Sequence, residues 1–259
     1  MSEESVIVSR TDGVAVLRLN EPKTMNAMSA GIKAGMDAHI PALMEDDSVR
    51  CILITGTGDA FCAGGDIRNM KKATPSDTRE RMRRNYRWSG RLLKSEKPIV
   101  TAVNGAAAGA GVSLALMGDV VIASKTAYFT TGFAKIGVVP DLGLLATLPR
   151  AIGTIRAKDM LLTSRKVLAD EALQMGLVSR VVEQGELMDK AMEAAQQLGN
   201  GPTVTYGMMK KLINRAYDRS FDEFLEAEGF AQGIAMATDD FIEGITSFRE
   251  KRRPKFKGS

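Results

Sequence analysis

The chain has 259 residues, 44% of them apolar and 25% charged, the balance of a soluble globular protein with a core that needs no disulfide staples. Its 35 basic and 31 acidic residues leave a net charge of +4, which is too mild to argue for nucleic acid and is compatible with an anionic ligand. Cys51 and Cys62 form no CxxC pair and read as free thiols of a reducing compartment. The start, MSEESVIVSR, is too acidic and too poor in apolar residues for a signal peptide, so a cytoplasmic location is expected. The longest apolar run, Gly105 to Met117, is too short to span a membrane.

In chain order, strands are predicted at 6–10 and 14–20, joined by the hairpin turn Asp12-Gly13. A helix follows at 27–45, with Pro41 expected to kink or break it. Buried-strand runs stand at 51–56, 98–105 and 119–124, with a helix at 77–95 between the first two. Strand–helix–strand alternation predicts an α/β fold with parallel strands and crossover helices. From about Glu186 the pattern is helical throughout, at 186–199, 202–217, 221–236 and 239–250. The chain therefore divides into a core over 1–185 and a helical region over 186–259. Its basic end, REKRRPKFKGS, reads either as a solvated, partly frayed tail or as a phosphate clamp.

Several chemistries lack their residues. The single histidine, His39, lies on a predicted helix, and no GxSxG elbow accompanies it. No His/Cys/Asp cluster has metal-ligand spacing, and no GxxxxGK[ST] is present. The segment GAAAGAG (105–111) contains Gly109-x-Gly111 but no third glycine at the distance a dinucleotide fingerprint requires. Two glycine-rich strand-end loops remain, DAFCAGGDIRNM (59–70) and VNGAAAGAGVSLALMGD (103–119). Each could present backbone N–H groups to a ligand, and two such groups aimed at one point make an oxyanion hole. Tight packing through small residues is the alternative for either loop. Asp141, in FAKIGVVPDLGLLATLPR (133–150), is a carboxylate in apolar sequence, either an acid/base group or a turn or helix cap after Pro140.

The segments AFCAGGDIRNM, KPIVTAVNGAAAGAGVSLALMGDVVIAS, FAKIGVVPDLG, RAKDMLLTSRKVLADEALQMGLVSRVV and SFREKRRPKF resemble the crotonase superfamily, the enoyl-CoA hydratases and isomerases. The resemblance runs from LRLNEPKTMNAMS at 17–29 to the basic tail. It implies a spiral of ββα turns with a C-terminal helical region for trimerisation, as a homotrimer or hexamer. It implies an acyl-CoA thioester as substrate and no cofactor beyond the CoA that the substrate carries. The two oxyanion-hole donors would be the N–H groups of Gly65 and Ala110, provided that Ala110 keeps a negative φ. CoA would run beside Ala63, Gly65, Asp66, Ile67 and Arg68, with its phosphates near Lys23, Arg68 and Lys251.

The departures decide the chemistry. Family hydratases carry a glutamate at the place of Ser113 and another at the place of Phe133, and both are missing here. Water addition needs a base and an acid, so weak hydration at most is expected. Members with G-x-x-P-D use the aspartate as acid/base, which assigns that role to Asp141. The dehalogenase members use such an aspartate as nucleophile beside a histidine and a tryptophan, and the matching places hold Tyr86 and Phe133. An enoyl-CoA isomerase is the leading expectation, with a weak hydratase or a non-catalytic CoA- or RNA-binding protein as alternatives. Ser113, Phe133 and the 71–90 segment are expected to shape the acyl pocket.

Overall fold

The computed structural model describes residues 4–259; residues 1–3, the start of the acidic N-terminus, lie outside them. Strands β1 (Val6–Thr11) and β2 (Val14–Leu19) form the expected antiparallel hairpin. Its turn places Asp12 and Gly13 at φ 49° and 76°, the left-handed pair that a two-residue hairpin demands. Helix α1 (Ala30–Glu45) starts three residues later than the apolar pattern suggests, because Ser29 caps it by accepting from the Ile32 N–H. It runs through Pro41 without a break.

The chain then repeats one unit: a long strand, a short strand and a helix. The first unit is β3 (Cys51–Gly56), β4 (Ala60–Cys62) and α2 (Pro75–Leu93). The second is β5 (Ile99–Val103), β6 (Ala106–Ala108) and α3 (Ala110–Ala115). The third is β7 (Val120–Ser124), β8 (Tyr128–Thr130) and α4 (Leu144–Ile152). Helix α5 (Thr154–Thr163), β9 (Val167–Leu168), α6 (Ala169–Met175) and β10 (Arg180–Val182) close the spiral. The long strands form a six-stranded sheet in the order β1-β2-β3-β5-β7-β10, and the short ones a four-stranded sheet in the order β4-β6-β8-β9. From β2 to β10 the larger sheet is parallel, as the crossover pattern predicts.

The long strands are apolar on both faces, which is why their sequence runs do not alternate. Leu17, Ile52 and Ile54 enter the core between the sheets and α1, whereas Val16, Leu53 and Val100 face outward onto another layer. That layer is α7 (Leu187–Gly199), whose Leu187, Ala191 and Ala195 bury against those strands. The helical stretch thus begins with a helix that belongs to the sheet's packing. Helices α8 (Thr203–Arg215), α9 (Phe221–Met236) and α10 (Asp239–Arg249) follow, with few buried residues of their own.

The basic tail is docked rather than frayed. Arg50 donates to the carbonyls of Phe256 and Gly201. Buried Asp240 accepts from the N–H groups of Lys257 and Gly258 at 2.7 and 2.8 Å. Sequence reading misses this because one anchor, Arg50, lies 206 residues from Phe256, and the other, Asp240, reads as an ordinary first-turn acid of α10. Cys51 and Cys62 are free and buried, and burial pushes each thiol up to about 12.

Candidate active site

Pairing of β4 with β6, Ala60 opposite Ala106 and Cys62 opposite Ala107, sets the two glycine-rich loops side by side. Their approach is as close as backbone allows. Gly64 has φ 91°, and a Cβ there would lie 2.6 Å from the Ala108 carbonyl oxygen and 3.3 Å from the Ala110 nitrogen. Only glycine meets both demands. Gly109, at φ 51°, donates to the Thr130 carbonyl at 2.9 Å, which ties the second loop to β8. Met28 donates to the Gly64 carbonyl at 2.7 Å, which ties the first loop to the entry of α1. Two buried amides brace the β3–β4 turn behind them. Asn26 and Asn104 both donate to the Ala60 carbonyl, at 2.8 and 3.2 Å, and Asn26 also accepts from the Glu21 N–H at 2.9 Å.

Gly65 and Ala110 consequently line one cavity of about 350 Å³. Ala110 is absent from the residues with positive φ, so alanine is accommodated there. It is the first residue of α3, where an N–H has no acceptor within the helix.

Asp141 lines the same cavity. Its Oδ1 is buried without a hydrogen-bond partner. The capping alternative is not realised: α4 begins after Gly143, and no side chain caps it. Burial, foremost, raises the Asp141 pKa above the ordinary carboxylate value, while its own N–H, Lys33 and Arg81 act in the opposite direction. The loop is held in an uncommon conformation, with Leu142 at φ 52° followed by Gly143 at 85°. Ser113 anchors it: its Oγ donates to the Asp141 carbonyl at 3.1 Å.

The expected apolar surroundings of Asp141 are only partly those found. Leu142 and Leu144 are buried, but Ile136, Val138 and Val139 are exposed. The walls come instead from Met28, Met70, Met82, Trp88 and Leu142. Helix α2 contributes Arg81, Met82, Asn85 and Trp88, in agreement with the 71–90 expectation, and α1 contributes Lys33. Burial lowers the Lys33 pKa, with Arg81 adding to the effect and Asp141 opposing it. Lys33 escapes sequence reading because nothing in the sequence of α1 marks it, and Arg81 is anticipated only as a member of the 71–90 segment.

Ser113 and Phe133 are not among the residues lining the cavity. Ser113 is buried beneath it, and Phe133 packs under Gly109, its Cζ 3.9 Å from where a Cβ on Gly109 would stand. Asp66 lines the cavity, and Arg68 grips its carboxylate with two bonds of 2.8 Å. Lys23 and Ile67 lie exposed in short turns nearby, and Ala63 donates to the Met25 carbonyl at 2.9 Å. Lys251 is on the docked tail just past α10 and does not line the cavity. His39 lies on α1 outside the cavity, and no metal-ligating cluster occurs among the described residues.

A partly apolar cavity lined by Gly65, Ala110 and a desolvated carboxylate has the parts that stabilisation of an oxyanion and movement of a proton would need. Known proteins share this architecture. A 1,2-epoxyphenylacetyl-CoA isomerase of Escherichia coli K12 is 38% identical over 250 residues, covering 95% of both chains. A short-chain-enoyl-CoA hydratase of Clostridium acetobutylicum is 35% identical, covering 98% of this chain and 97% of its own. The solved enoyl-CoA hydratase subunit of Geobacillus kaustophilus superposes with a TM-score of 0.91 at 34% identity, covering 98% of each chain. The enoyl-CoA hydratase/isomerase of Cupriavidus metallidurans gives 0.93 at 29% identity, over 100% of this chain and 98% of that one. The family model for enoyl-CoA hydratase/isomerase matches residues 9–259, and the chain belongs to that family, with its crotonase-type ββα spiral.

Proposed function

We propose that this protein isomerises an enoyl-CoA thioester, shifting a double bond by proton transfer through an enolate. The N–H groups of Gly65 and Ala110 hold the thioester oxygen as it gains charge. Asp141 takes the proton from one carbon and returns it to another. The observation that carries the reading is that Asp141, a largely desolvated carboxylate, lines the same cavity as Gly65 and Ala110. Burial, by raising its pKa, strengthens the carboxylate as a base. CoA lies along Ala63 to Arg68, with Lys23, Arg68 and Lys251 as cations for its phosphates, and no further cofactor enters the reaction.

Hydration is the second reading, favoured by the printed names of several relatives. Neither Ser113 nor Phe133 can supply the carboxylate that hydration needs at its place, so we rank it below isomerisation. The protein works as a homotrimer or hexamer. Helices α8 to α10 leave Ile213, Phe221, Phe230 and Phe248 exposed, an apolar face that a monomer would not keep open to water.

Incubation with a panel of enoyl-CoA thioesters in heavy water, followed by NMR, tests the assignment. The expected result is deuterium at the α and γ carbons with net double-bond migration. Hydroxyacyl-CoA as the main product would transfer the assignment to hydration, and no exchange with any thioester would refute it.

A further inference from the structure

The cavity around Asp141 presents more polar groups than movement of a proton between carbons requires. Four charged side chains line it: Lys33, Asp66, Arg81 and Asp141. Asp66 is already taken, held by Arg68 through two bonds of 2.8 Å. Lys33, half-buried on α1, and Arg81, exposed at the rim on α2, form no salt bridge among the described residues. Two cations therefore share the space with the one uncommitted carboxylate, which leaves one positive charge in excess when Asp141 is ionised. A half-buried ammonium that shares its uncommitted carboxylate with a second cation is under-neutralised, which costs free energy. A plain alkyl chain does not relieve this. At about 350 Å³ the space is at the small end of ligand cavities, so a chain long enough to carry a charged end beyond the cavity altogether is not needed to reach Arg81 at the rim.

Resting on the isomerase reading above, we propose that the preferred acyl group is short and bears a carboxylate at the end remote from the thioester, received by Lys33 and Arg81. One anionic group matches one excess positive charge. A planar carboxylate can also accept from an ammonium and a guanidinium together.

The test compares trans-2-hexenedioyl-CoA, its terminal methyl ester and trans-2-hexenoyl-CoA by kcat/KM and by solvent-deuterium exchange. The diacid thioester is expected to lead both neutral ones by about tenfold or more. In the double variant Lys33→Met/Arg81→Met that lead should fall to near unity. Because the readout is a ratio within one preparation, a fully inactive variant is replaced by Lys33→Gln, for which the lead must also shrink. If all three thioesters exchange at similar rates in the parent enzyme, or if the lead survives the double variant, the proposal is wrong and the isomerase reading stands. If none exchanges, the isomerase reading fails and this inference fails with it.

Discussion

Asp141→Asn separates chemistry from architecture. The two side chains have the same shape, and the loop's anchor, the Ser113 hydroxyl, grips the backbone carbonyl and not the carboxylate. The cavity should therefore keep its form and its affinity for CoA thioesters within a few-fold. Loss of a positioned acid/base group costs about 100-fold or more in rate, equivalent to about 2.7 kcal/mol of transition-state stabilisation. Stability should move the other way. Burial raises the pKa of Asp141 from 3.8, so the native state holds this proton to higher pH than the unfolded chain does. The stability linked to that proton is complete below the unfolded value and is lost as pH rises through the folded one. Above its folded pKa the wild type carries a desolvated carboxylate with one oxygen unpartnered, and there the asparagine variant should melt at the same temperature or higher. The difference should fade towards the acid end of the range. In the wild type, exchange should rise with pH through an apparent pKa above the ordinary carboxylate range, and the variant should lack that limb. Thermal melts at several pH values and NMR exchange rates provide the measurements. A variant that unfolds, or one that exchanges at the wild-type rate, would refute the assignment.

Gly64→Ala should lower exchange by about 100-fold with an unchanged circular dichroism spectrum, since the new Cβ forces the Gly65 and Ala110 loops apart. Asn26→Ala should destabilise by about 3 kcal/mol, or roughly 6–12 °C in Tm by calorimetry, because buried acceptors and donors of the β3–β4 turn lose their partner. Phe230→Glu, at a residue 70% exposed on α9, should shift the mass measured by light scattering from trimer or hexamer towards monomer; an unchanged mass would remove α9 from the interface.

The sheet scaffold was legible because its signals are local. Asp12-Gly13 sets a hairpin wherever it stands between strands, and a both-faces-buried strand has the same apolar run in any parallel sheet. Helix starts were less legible where another role claimed the first residues. Asn26 and Met28 fit a helical pattern, yet one braces a turn and the other binds Gly64, so α1 waits for Ser29. Within the site, Gly65, Ala110 and Asp141 could be located because motifs mark them, and the structure brings all three to one cavity. Lys33 could not, and Arg81 and Trp88 only as members of the 71–90 segment. Their meaning lies in which helix face meets which loop, and no spacing along α1 or α2 encodes that. The apolar residues around Asp141 misled for a related reason: sequence neighbours at 136–139 turn outward, and the desolvating walls arrive from α1 and α2.

The departures at 113 and 133 fit together once their places are seen. Position 113 is 1% exposed directly beneath the Asp141 loop. A glutamate there would put a second carboxylate close to the first, and like charges sharing a small site raise the pKa of one until it no longer ionises at neutral pH. Serine instead spends its hydroxyl on the Asp141 carbonyl, steadying a segment that contains the left-handed Leu142. Such a non-glycine residue costs on the order of 1 kcal/mol and persists only where its surroundings enforce it. Phe133 fills the space under Gly109 with apolar bulk, supporting the loop that presents the Ala110 N–H. Both replacements therefore act on placement: Ser113 steadies the loop that carries Asp141, and Phe133 backs the loop that carries Ala110. With Asp66 paired to Arg68, the isomerisation proposed above would fall to Asp141, the one cavity carboxylate left free to take a proton from one carbon and return it to another.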